Sequence, residues 1–393
     1  MQYNFDKVID RRNSNSYKWD SADAEGADYP LWVADMDWRA AEPILEALRR
    51  RVEHGVFGYV TTPDSVREVV CRWFRERHRW TILPSQITVA PGVVPTVSAI
   101  LRTYPGKRVV MNTPNYNCFF DCIRAAGCTL IDSPLILQDA YYTMDLADLE
   151  TKLQSADIFL FCNPHNPTGR VWTAQEVKQV AELCARYDVL VLTDEIHGEF
   201  AWHAPYTPLA TVAPDSLRWI AMTSATKAFN IAGLQFASIV SRDEHCKAVV
   251  DSALSLSHLE DINPFGQVAT VAAYEHCADW LDQMNRYVES NYDYLCRWYA
   301  AHKPDCVVTR MDGTYLAWVD YRRDAEYHQY GTTEMLCHHW VTEHGVKFNP
   351  GEMYGAEGFV RINLACPRII LENALNRQIS KIGTDRGSAH HSR

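Results

Sequence analysis

Between Asp157 and Glu195 the sequence reads DIFLFCNPHNPTGRVWTAQEVKQVAELCARYDVLVLTDE, which predicts a strand, a helix and a second strand in succession. IFLFC and VLVL are continuous apolar runs of strand length, and TAQEVKQVAELCARYD between them places its apolar residues at helical spacing. Two buried strands joined through a helix run parallel in one sheet. This stretch therefore predicts an α/β fold.

The same alternation extends from about residue 80 to about residue 225. A further helix is predicted in VSAILRTY (97–104). Further strands are predicted in QITVA (86–90), KRVVM (107–111), TLID (129–132) and RWIAMT (218–223). This pattern predicts a mostly parallel sheet with helices on both faces.

The rest of the chain predicts a smaller α+β domain. Its elements are a long helix (287–302), a hairpin around Asp312-Gly313 (306–322), a helix (332–345) and the strands VKFNPG (346–351) and GFVRINLA (358–365). We expect a large domain over residues 46–285 and a small domain over 1–45 and 286–385, closely joined. Residues 386–393 are expected to be a disordered tail or a cloning remnant.

Composition argues against several classes of protein. The formal net charge is −11 and no basic run is present, which disfavours a nucleic-acid surface. No stretch approaches the roughly 20 apolar residues of a membrane span, and the first residues lack the apolar region of a signal peptide. The twelve cysteines are scattered singly, which predicts reduced thiols and a cytoplasmic protein.

Metal and nucleotide motifs are incomplete. Cys118, Cys122 and Cys128 lack the CxxC pairs of zinc sites. The acids and histidines of residues 194–203 lack the HExxH spacing, and the Gly-Lys pair of residues 106–107 lacks the rest of a P-loop. We therefore predict no metal site.

Polar residues follow consecutive strands of the predicted sheet, at the carboxyl edge where ligands bind. Asn163 and Asn166 follow the first, Asp194 follows the second and Ser224 follows the third. Asp194 fits a helix N-cap, and it equally fits a partner for a protonated ring nitrogen, since a buried carboxylate needs a cation. Asn166 could donate its amide to a ring oxygen.

Lys227 is a lone ammonium among small, hydroxyl and apolar residues in SATKAFNIAG (224–233). An amine becomes a nucleophile where its surroundings disfavour the charged form. Ser224 and Thr226 beside it could bind a phosphate. These residues together suggest a phosphorylated aldehyde held as a Schiff base.

Three weaker signals complete the set. APGVVPT offers backbone N–H groups at Gly92, Val93 and Val94 for a phosphate. Tyr116 follows a predicted strand, where its ring could lie against a flat cofactor. Arg361 in FVRIN could bind a substrate carboxylate through two parallel N–H donors, although a lone arginine is usually a surface charge.

The motifs NPHNPTG (163–169), TDEIH (193–197) and SATKAFNIAG resemble, in order and spacing, those of fold-type I pyridoxal-phosphate enzymes of the class I/II aminotransferase superfamily. LWVADMDW, HGVFGY, GRVW, KAFNIAGLQ, GTYLAW and GFVRINLACP narrow the resemblance to the MalY/PatB-type cystathionine β-lyases, which include the cystalysin-like C–S lyases. The resemblance runs from about residue 3 to about residue 375.

The resemblance implies the cofactor pyridoxal 5'-phosphate and a role for each matching residue. Lys227 would form the Schiff base and act in catalysis, and Arg361 would bind the substrate carboxylate. The other implied cofactor contacts are Asp194 at the ring nitrogen, Asn166 at the ring hydroxyl, Tyr116 on the ring, His197 nearby, Gly92, Val93, Val94, Ser224 and Thr226 at the phosphate, and Tyr59 reaching the phosphate from a second subunit.

This sequence departs from many aminotransferases at two of these positions. His197 stands where many have tyrosine, and Gln235 stands where many have an arginine near the phosphate. Both departures fit the lyase subgroup. Asn117 stands where some members of the subgroup have a second tyrosine, which leaves the substrate preference open.

The implied activity is cleavage of cystathionine or cysteine to a thiol, pyruvate and ammonia, in a homodimer with a shared site. An aminotransferase passes through the same negative charge at Cα and remains an alternative. A regulatory protein that retains the fold and binds a partner is a second alternative.

Overall fold

The structure is a computed structural model and describes residues 2–379. The predicted tail at 386–393 and the end of the predicted small domain lie outside the described residues. The strands are β1 (Tyr29–Pro30), β2 (Ile87–Ala90), β3 (Arg108–Met111), β4 (Thr129–Asp132), β5 (Ile136–Gln138), β6 (Tyr141–Thr143), β7 (Ile158–Cys162), β8 (Leu190–Asp194), β9 (Trp219–Thr223), β10 (Ala237–Ser241), β11 (Val307–Val308), β12 (Leu316–Asp320), β13 (Val346–Lys347), β14 (Asn349–Pro350) and β15 (Phe359–Asn363).

Helices connect and cover these strands. They are α1 (Asp20–Ala24), α2 (Glu42–Glu53), α3 (Asp64–His78), α4 (Val93–Arg102), α5 (Asn117–Ala125), α6 (Leu146–Leu153), α7 (Ala174–Arg186), α8 (Ala225–Ala228), α9 (Glu244–Leu256), α10 (Pro264–His276), α11 (Ala278–His302), α12 (Ala325–Tyr330), α13 (Thr333–His339) and α14 (Arg368–Ile379). None of the helices within residues 2–379 combines the length and apolar character needed to span a bilayer.

The central sheet has the order β2-β10-β9-β8-β7-β3-β4. The pairs from β9 through β8, β7 and β3 to β4 are parallel, whereas β10 runs antiparallel to both of its neighbours. The predicted mostly parallel sheet is confirmed, and β10 is a strand that the sequence analysis did not identify.

Both faces of this sheet are buried, which explains the continuous apolar runs. Phe159 and Phe161 of β7 belong to one hydrophobic cluster, and the alternate residues Ile158 and Leu160 belong to a second cluster. This alternation is the two-residue period of a strand between two layers of helices. The α/β fold predicted from residues 157–195 is therefore confirmed.

The second sheet is antiparallel and has the order β11-β12-β15-β14. The predicted strand VKFNPG divides between two sheets, because β13 pairs with β1 while β14 pairs with β15. The β1–β13 pairing joins the N-terminal segment to the C-terminal region of the chain, which also forms the second sheet. Helix α11 is continuous across the predicted boundary at 285/286, and the domain division stays a prediction.

Candidate functional site

The carboxyl ends of β7, β8 and β9 bring the predicted polar residues to one edge of the central sheet. Asp194 at the end of β8 lies beside Cys162 of β7 and Met222 of β9. The backbone N–H of Asn163 donates to the carbonyl of Asp194 at 3.0 Å. Ser224 begins directly after β9, so residues following three adjacent strands meet at this edge.

Asp194 is buried at this edge. Burial is the main reason why its pKa is raised to about 6, and the Ile196 N–H and the Lys227 charge act in the opposite direction. The Ile196 N–H donates to Oδ1 at 3.1 Å. Within residues 2–379, no lysine or arginine side chain forms an ion pair with this carboxylate. Asp194 is thus a buried acid suited to a cationic partner.

Lys227 lies on the short helix α8, and its ammonium points towards the N-terminal segment. Nζ donates to the carbonyl of Ala34 at 2.6 Å. Burial lowers the pKa of Lys227, Arg361 adds to this effect, and Asp35 and Asp194 oppose it. Lys227 therefore lies close to Asp194 and Arg361, two of the other predicted site residues. A larger fraction of its amine is neutral than in a surface lysine.

Ser224 and Thr226 form the N-terminal turn of α8. Ser224 Oγ accepts the N–H of Thr226 at 3.0 Å, lies 2.7 Å from Thr226 Oγ1 and donates to the carbonyl of Phe236 at 2.6 Å. The two hydroxyls are therefore held together at the end of β9, on the carboxyl edge of the sheet where ligands bind.

Gly92, Val93 and Val94 lie at the same edge, two strands from Ser224. Gly92 precedes α4, and the first N–H groups of a helix have no partner within the helix. The intervening strand β10 begins at Ala237, which pairs with Ala90 of β2. The predicted phosphate donors thus come from two helix starts on one edge.

Arg361 projects from β15 of the second sheet and contacts Asn166 in the turn after β7 of the central sheet. Its Nη1 donates to Asn166 Oδ1 at 3.2 Å, and its Nη2 donates to the carbonyl of Trp32 at 2.9 Å. The guanidinium lies 4.7 Å from the ring centre of Tyr354. Arg361 Nε is buried without a partner among residues 2–379. This arginine is not the surface charge that a lone arginine usually is.

Tyr116 and His197 also lie close to these charges. Burial raises the pKa of Tyr116, with Cys118 adding to the increase and Arg361 opposing it. Burial lowers the pKa of His197 to about 3, and the positive charges of Lys227 and Arg361 lower it further. His197 Nδ1 has no partner within the described part of the chain.

Tyr59 does not join this group within one chain. Its side chain is 96% exposed and sits in an exposed segment without regular structure. Its predicted contact with the phosphate of a second subunit stays a prediction.

The sequence analysis missed several residues that shape the site. The carbonyl of Ala34 accepts hydrogen bonds from Lys227 and from Tyr315, whose hydroxyl lies 3.0 Å away. The carbonyl of Trp32 accepts Arg361. Ala34 and Trp32 belong to LWVADMDW and Tyr315 belongs to GTYLAW. Both motifs carried part of the family resemblance, but their residues had been given no role.

The residues at this edge fit pyridoxal 5'-phosphate. Among residues 2–379 no side chain forms an ion pair with Asp194, and a protonated ring nitrogen would provide that cationic partner. The first amides of α4 are donors suited to a phosphate, and the hydroxyls of Ser224 and Thr226 become donors to it once they exchange their present hydrogen bonds for the phosphate. Lys227 supplies the amine that a carbonyl group requires.

Comparison with known proteins gives the same family. The model for aminotransferase class I and II matches residues 35–377. Cystathionine beta-lyase PatB of Bacillus subtilis is 36% identical, over 95% of this chain and 98% of its own length. Protein MalY of Escherichia coli is 33% identical, over 97% of this chain and 99% of its own.

A solved structure is similarly close. Cystalysin from Treponema denticola, which contains a pyridoxal 5'-phosphate cofactor, superimposes with a TM-score of 0.90 at 28% identity. The match covers 96% of this chain and 98% of that chain. The resemblance inferred from the motifs is confirmed.

Proposed function

The chain belongs to the class I and II aminotransferase family, and we propose that it is a pyridoxal-phosphate-dependent carbon–sulfur β-lyase. It cleaves a cystathionine- or cysteine-type amino acid to a thiol, pyruvate and ammonia. The observation that carries this proposal is the meeting of Lys227, Asp194, Asn166 and Arg361 at one sheet edge, in a chain that is similar throughout to a cystathionine β-lyase.

Asp194 and Asn166 hold the cofactor ring in this proposal. When bound, pyridoxal 5'-phosphate supplies an electron-poor ring that stabilises negative charge on the substrate Cα. Asp194 holds a proton at the ring nitrogen through a charge-assisted hydrogen bond, worth roughly 1.5–3 kcal/mol. Asn166 donates its amide to the ring oxygen, and Ser224, Thr226 and the start of α4 hold the phosphate.

Arg361 orients the substrate. Its guanidinium offers several N–H donors in one plane, which matches a carboxylate better than an ammonium does. Its present partners, Asn166 Oδ1 and the Trp32 carbonyl, hold the guanidinium in one orientation. The N–H of Nε has no partner among residues 2–379 and is free to donate to the substrate. A fixed carboxylate fixes which Cα bond faces the base.

Lys227 moves the proton. Its lowered pKa increases the fraction of neutral amine, which takes the proton from the substrate Cα. The Cβ–S bond then breaks, the sulfur leaves with the electron pair and takes up a proton as the thiol. The remaining three-carbon fragment adds water and separates into pyruvate and ammonia.

The active form is proposed to be a homodimer in which each site uses Tyr59 from the other subunit. Three apolar side chains near Tyr59 in sequence are also more than half exposed, namely Val52, Val56 and Phe57. Several exposed apolar side chains grouped in one short segment are typical of an association surface.

A cytoplasmic location is proposed from the cysteines. All twelve are free within residues 2–379, and nine of them are buried. Unpaired thiols in this number are typical of a reducing compartment.

Product analysis tests the activity. Purified holoprotein is incubated with L-cystathionine, with and without an added keto acid. We expect thiol, pyruvate and ammonia in equal amounts without the keto acid. Lys227→Ala should lower this rate about 10²–10⁴-fold, the usual contribution of a positioned base. Lys247→Ala, which changes a lysine paired with Asp251, is the matched control and should keep the full rate.

Two results would contradict the proposal. Amine transfer that depends on the keto acid, without pyruvate formation, would make the protein an aminotransferase. Full activity of the Lys227→Ala variant would show that Lys227 takes no part in the reaction.

A further inference from the structure

Two histidines and a glutamate converge on helices that the proposed reaction does not use. Glu326 lies on α12, His339 ends α13, and His344 ends the following turn. One potential ligand atom from each lies within 4.8 Å of the other two. All three side chains are partly exposed, so an ion from solvent can reach them.

An irregular turn brings the two histidines together. Residues Trp340–His344 form a π-helical turn directly after α13. In an α-helix, residues five apart point in different directions, because each residue rotates by about 100°. The wider π-turn brings such residues back towards one side, and these turns recur at functional sites. The rings of His339 and His344 are 5.1 Å apart.

Contacts within the described residues account for the position of Glu326 but leave a ring nitrogen of His344 without a partner. Within residues 2–379, no hydrogen bond or ion pair joins either histidine to Glu326. Glu326 instead accepts Trp340 Nε1 at 3.2 Å and Lys303 Nζ at 2.5 Å. His344 Nδ1 is buried without a partner in the described part of the chain. A buried polar atom without a hydrogen-bond partner destabilises the folded protein unless a ligand or an ion binds to it.

The charge around the cluster favours a cation. Asp324 Oδ2 lies 3.8 Å from Lys303 Nζ, and Glu343 directly precedes His344 in the chain. The ammonium of Lys303 is thus shared between the carboxylates of Glu326 and Asp324. That ammonium will compete for Glu326, which sets a moderate affinity.

We propose that Glu326, His339 and His344 bind one Zn²⁺ ion, with a fourth position open to water. Two imidazoles and one carboxylate are a recurrent set of protein ligands for zinc with an open site. Zinc–nitrogen distances of about 2.0–2.1 Å require ligand atoms about 3.3 Å apart, which side-chain rotation can reach. The ion would link α12 to the end of α13.

Titration of the full-length holoenzyme with zinc chloride tests the site. Calorimetry should give one ion per chain for the wild type. His344→Gln and Glu326→Gln should each weaken binding at least about ten-fold, as loss of a ligand does. His338→Gln is the matched control, because His338 is exposed on the same helix and outside the cluster. It should bind zinc as the wild type does.

The remaining measurements separate zinc binding from folding. The melting temperature without zinc and the rate of pyruvate formation report whether each variant folds. Zinc should raise the melting temperature of the wild type and of His338→Gln, and not that of His344→Gln. Absence of stoichiometric binding to the wild type, or equal affinity in folded His344→Gln, would overturn the proposal. The latter result would locate the ion at other histidines, such as those near residue 390.

Discussion

At the scale of single residues, the buried carboxyl of Asp194 has a measurable cost. Its pKa is raised to about 6, from an ordinary value near 4 in the unfolded chain. A carboxyl with a higher pKa in the folded state destabilises the fold as the pH rises through this interval. The penalty is absent below about pH 4 and complete above about pH 6.

We therefore predict that Asp194→Asn stabilises the protein from which the cofactor has been removed. The gain in the free energy of unfolding should be about 1–3 kcal/mol at pH 8 and should vanish near pH 4. Urea unfolding at the two pH values measures it. The same variant should lose pyruvate formation about 10–100-fold with cofactor present, since the charge-assisted bond is gone. An equal effect on stability at both pH values would contradict the explanation.

Some site residues can be predicted from sequence and others cannot, for a physical reason. Lys227, Asp194 and Arg361 act through their side chains, so residue type and position after a strand identify them. Ala34 and Trp32 act through backbone carbonyls, which every residue carries. Only the folded chain shows which carbonyl faces the lysine.

At the scale of elements, the side chain of Asn230 connects the loop after α8 to the N-terminal segment through three hydrogen bonds. Asn230 Oδ1 accepts the N–H of Met36 at 3.0 Å, and Nδ2 donates to the carbonyls of Met36 at 3.0 Å and Trp38 at 2.7 Å. Asn230 has a φ of 56°, in the left-handed region. These bonds hold the segment whose Ala34 carbonyl receives Lys227.

Asn230→Ala should lower the free energy of unfolding by about 1.5–4.5 kcal/mol beyond the cost of a left-handed alanine, because three hydrogen bonds are lost at about 0.5–1.5 kcal/mol each. The matched control is Asn13→Ala, since Asn13 has a φ of 57° and an exposed side chain. That variant keeps the cost of a left-handed alanine and loses none of these bonds. Urea unfolding of both variants gives the difference, and equal destabilisation would show that the bonds contribute nothing.

The elements themselves were predictable to different degrees. The parallel strands β7, β8 and β9 are buried on both faces, so their apolar runs are continuous and easily recognised. β10 has the equally buried sequence ASIVS, but only the four-residue helix α8 and a short turn separate it from β9, to which it runs antiparallel. The alternation of strands with long helices therefore fails there. VKFNPG divides because its two halves pair with strands distant in sequence.

At the scale of the whole molecule, a shared site makes a prediction that a single-chain site does not. Tyr59→Ala and Lys227→Ala should each be poorly active alone. In a mixed dimer, one site receives Tyr59 from the Lys227→Ala subunit and Lys227 from the Tyr59→Ala subunit. Random mixing by coexpression should therefore restore roughly a quarter of the wild-type rate of pyruvate formation.

Two outcomes of the mixing experiment count against the dimer. If the mixture is no more active than the average of the two variants, Tyr59 does not complete the partner's site. If Tyr59→Ala alone is fully active and retains its cofactor, Tyr59 has no part in the reaction.

The covalent attachment of the cofactor to Lys227 is tested most directly by borohydride reduction of the holoprotein followed by peptide mass spectrometry. Reduction turns the carbon–nitrogen link into a stable bond that survives digestion. We predict one cofactor-derived mass addition per chain, at Lys227, and its loss in Lys227→Ala. Attachment to a different lysine, or a loaded enzyme without any labelled peptide, would contradict the account.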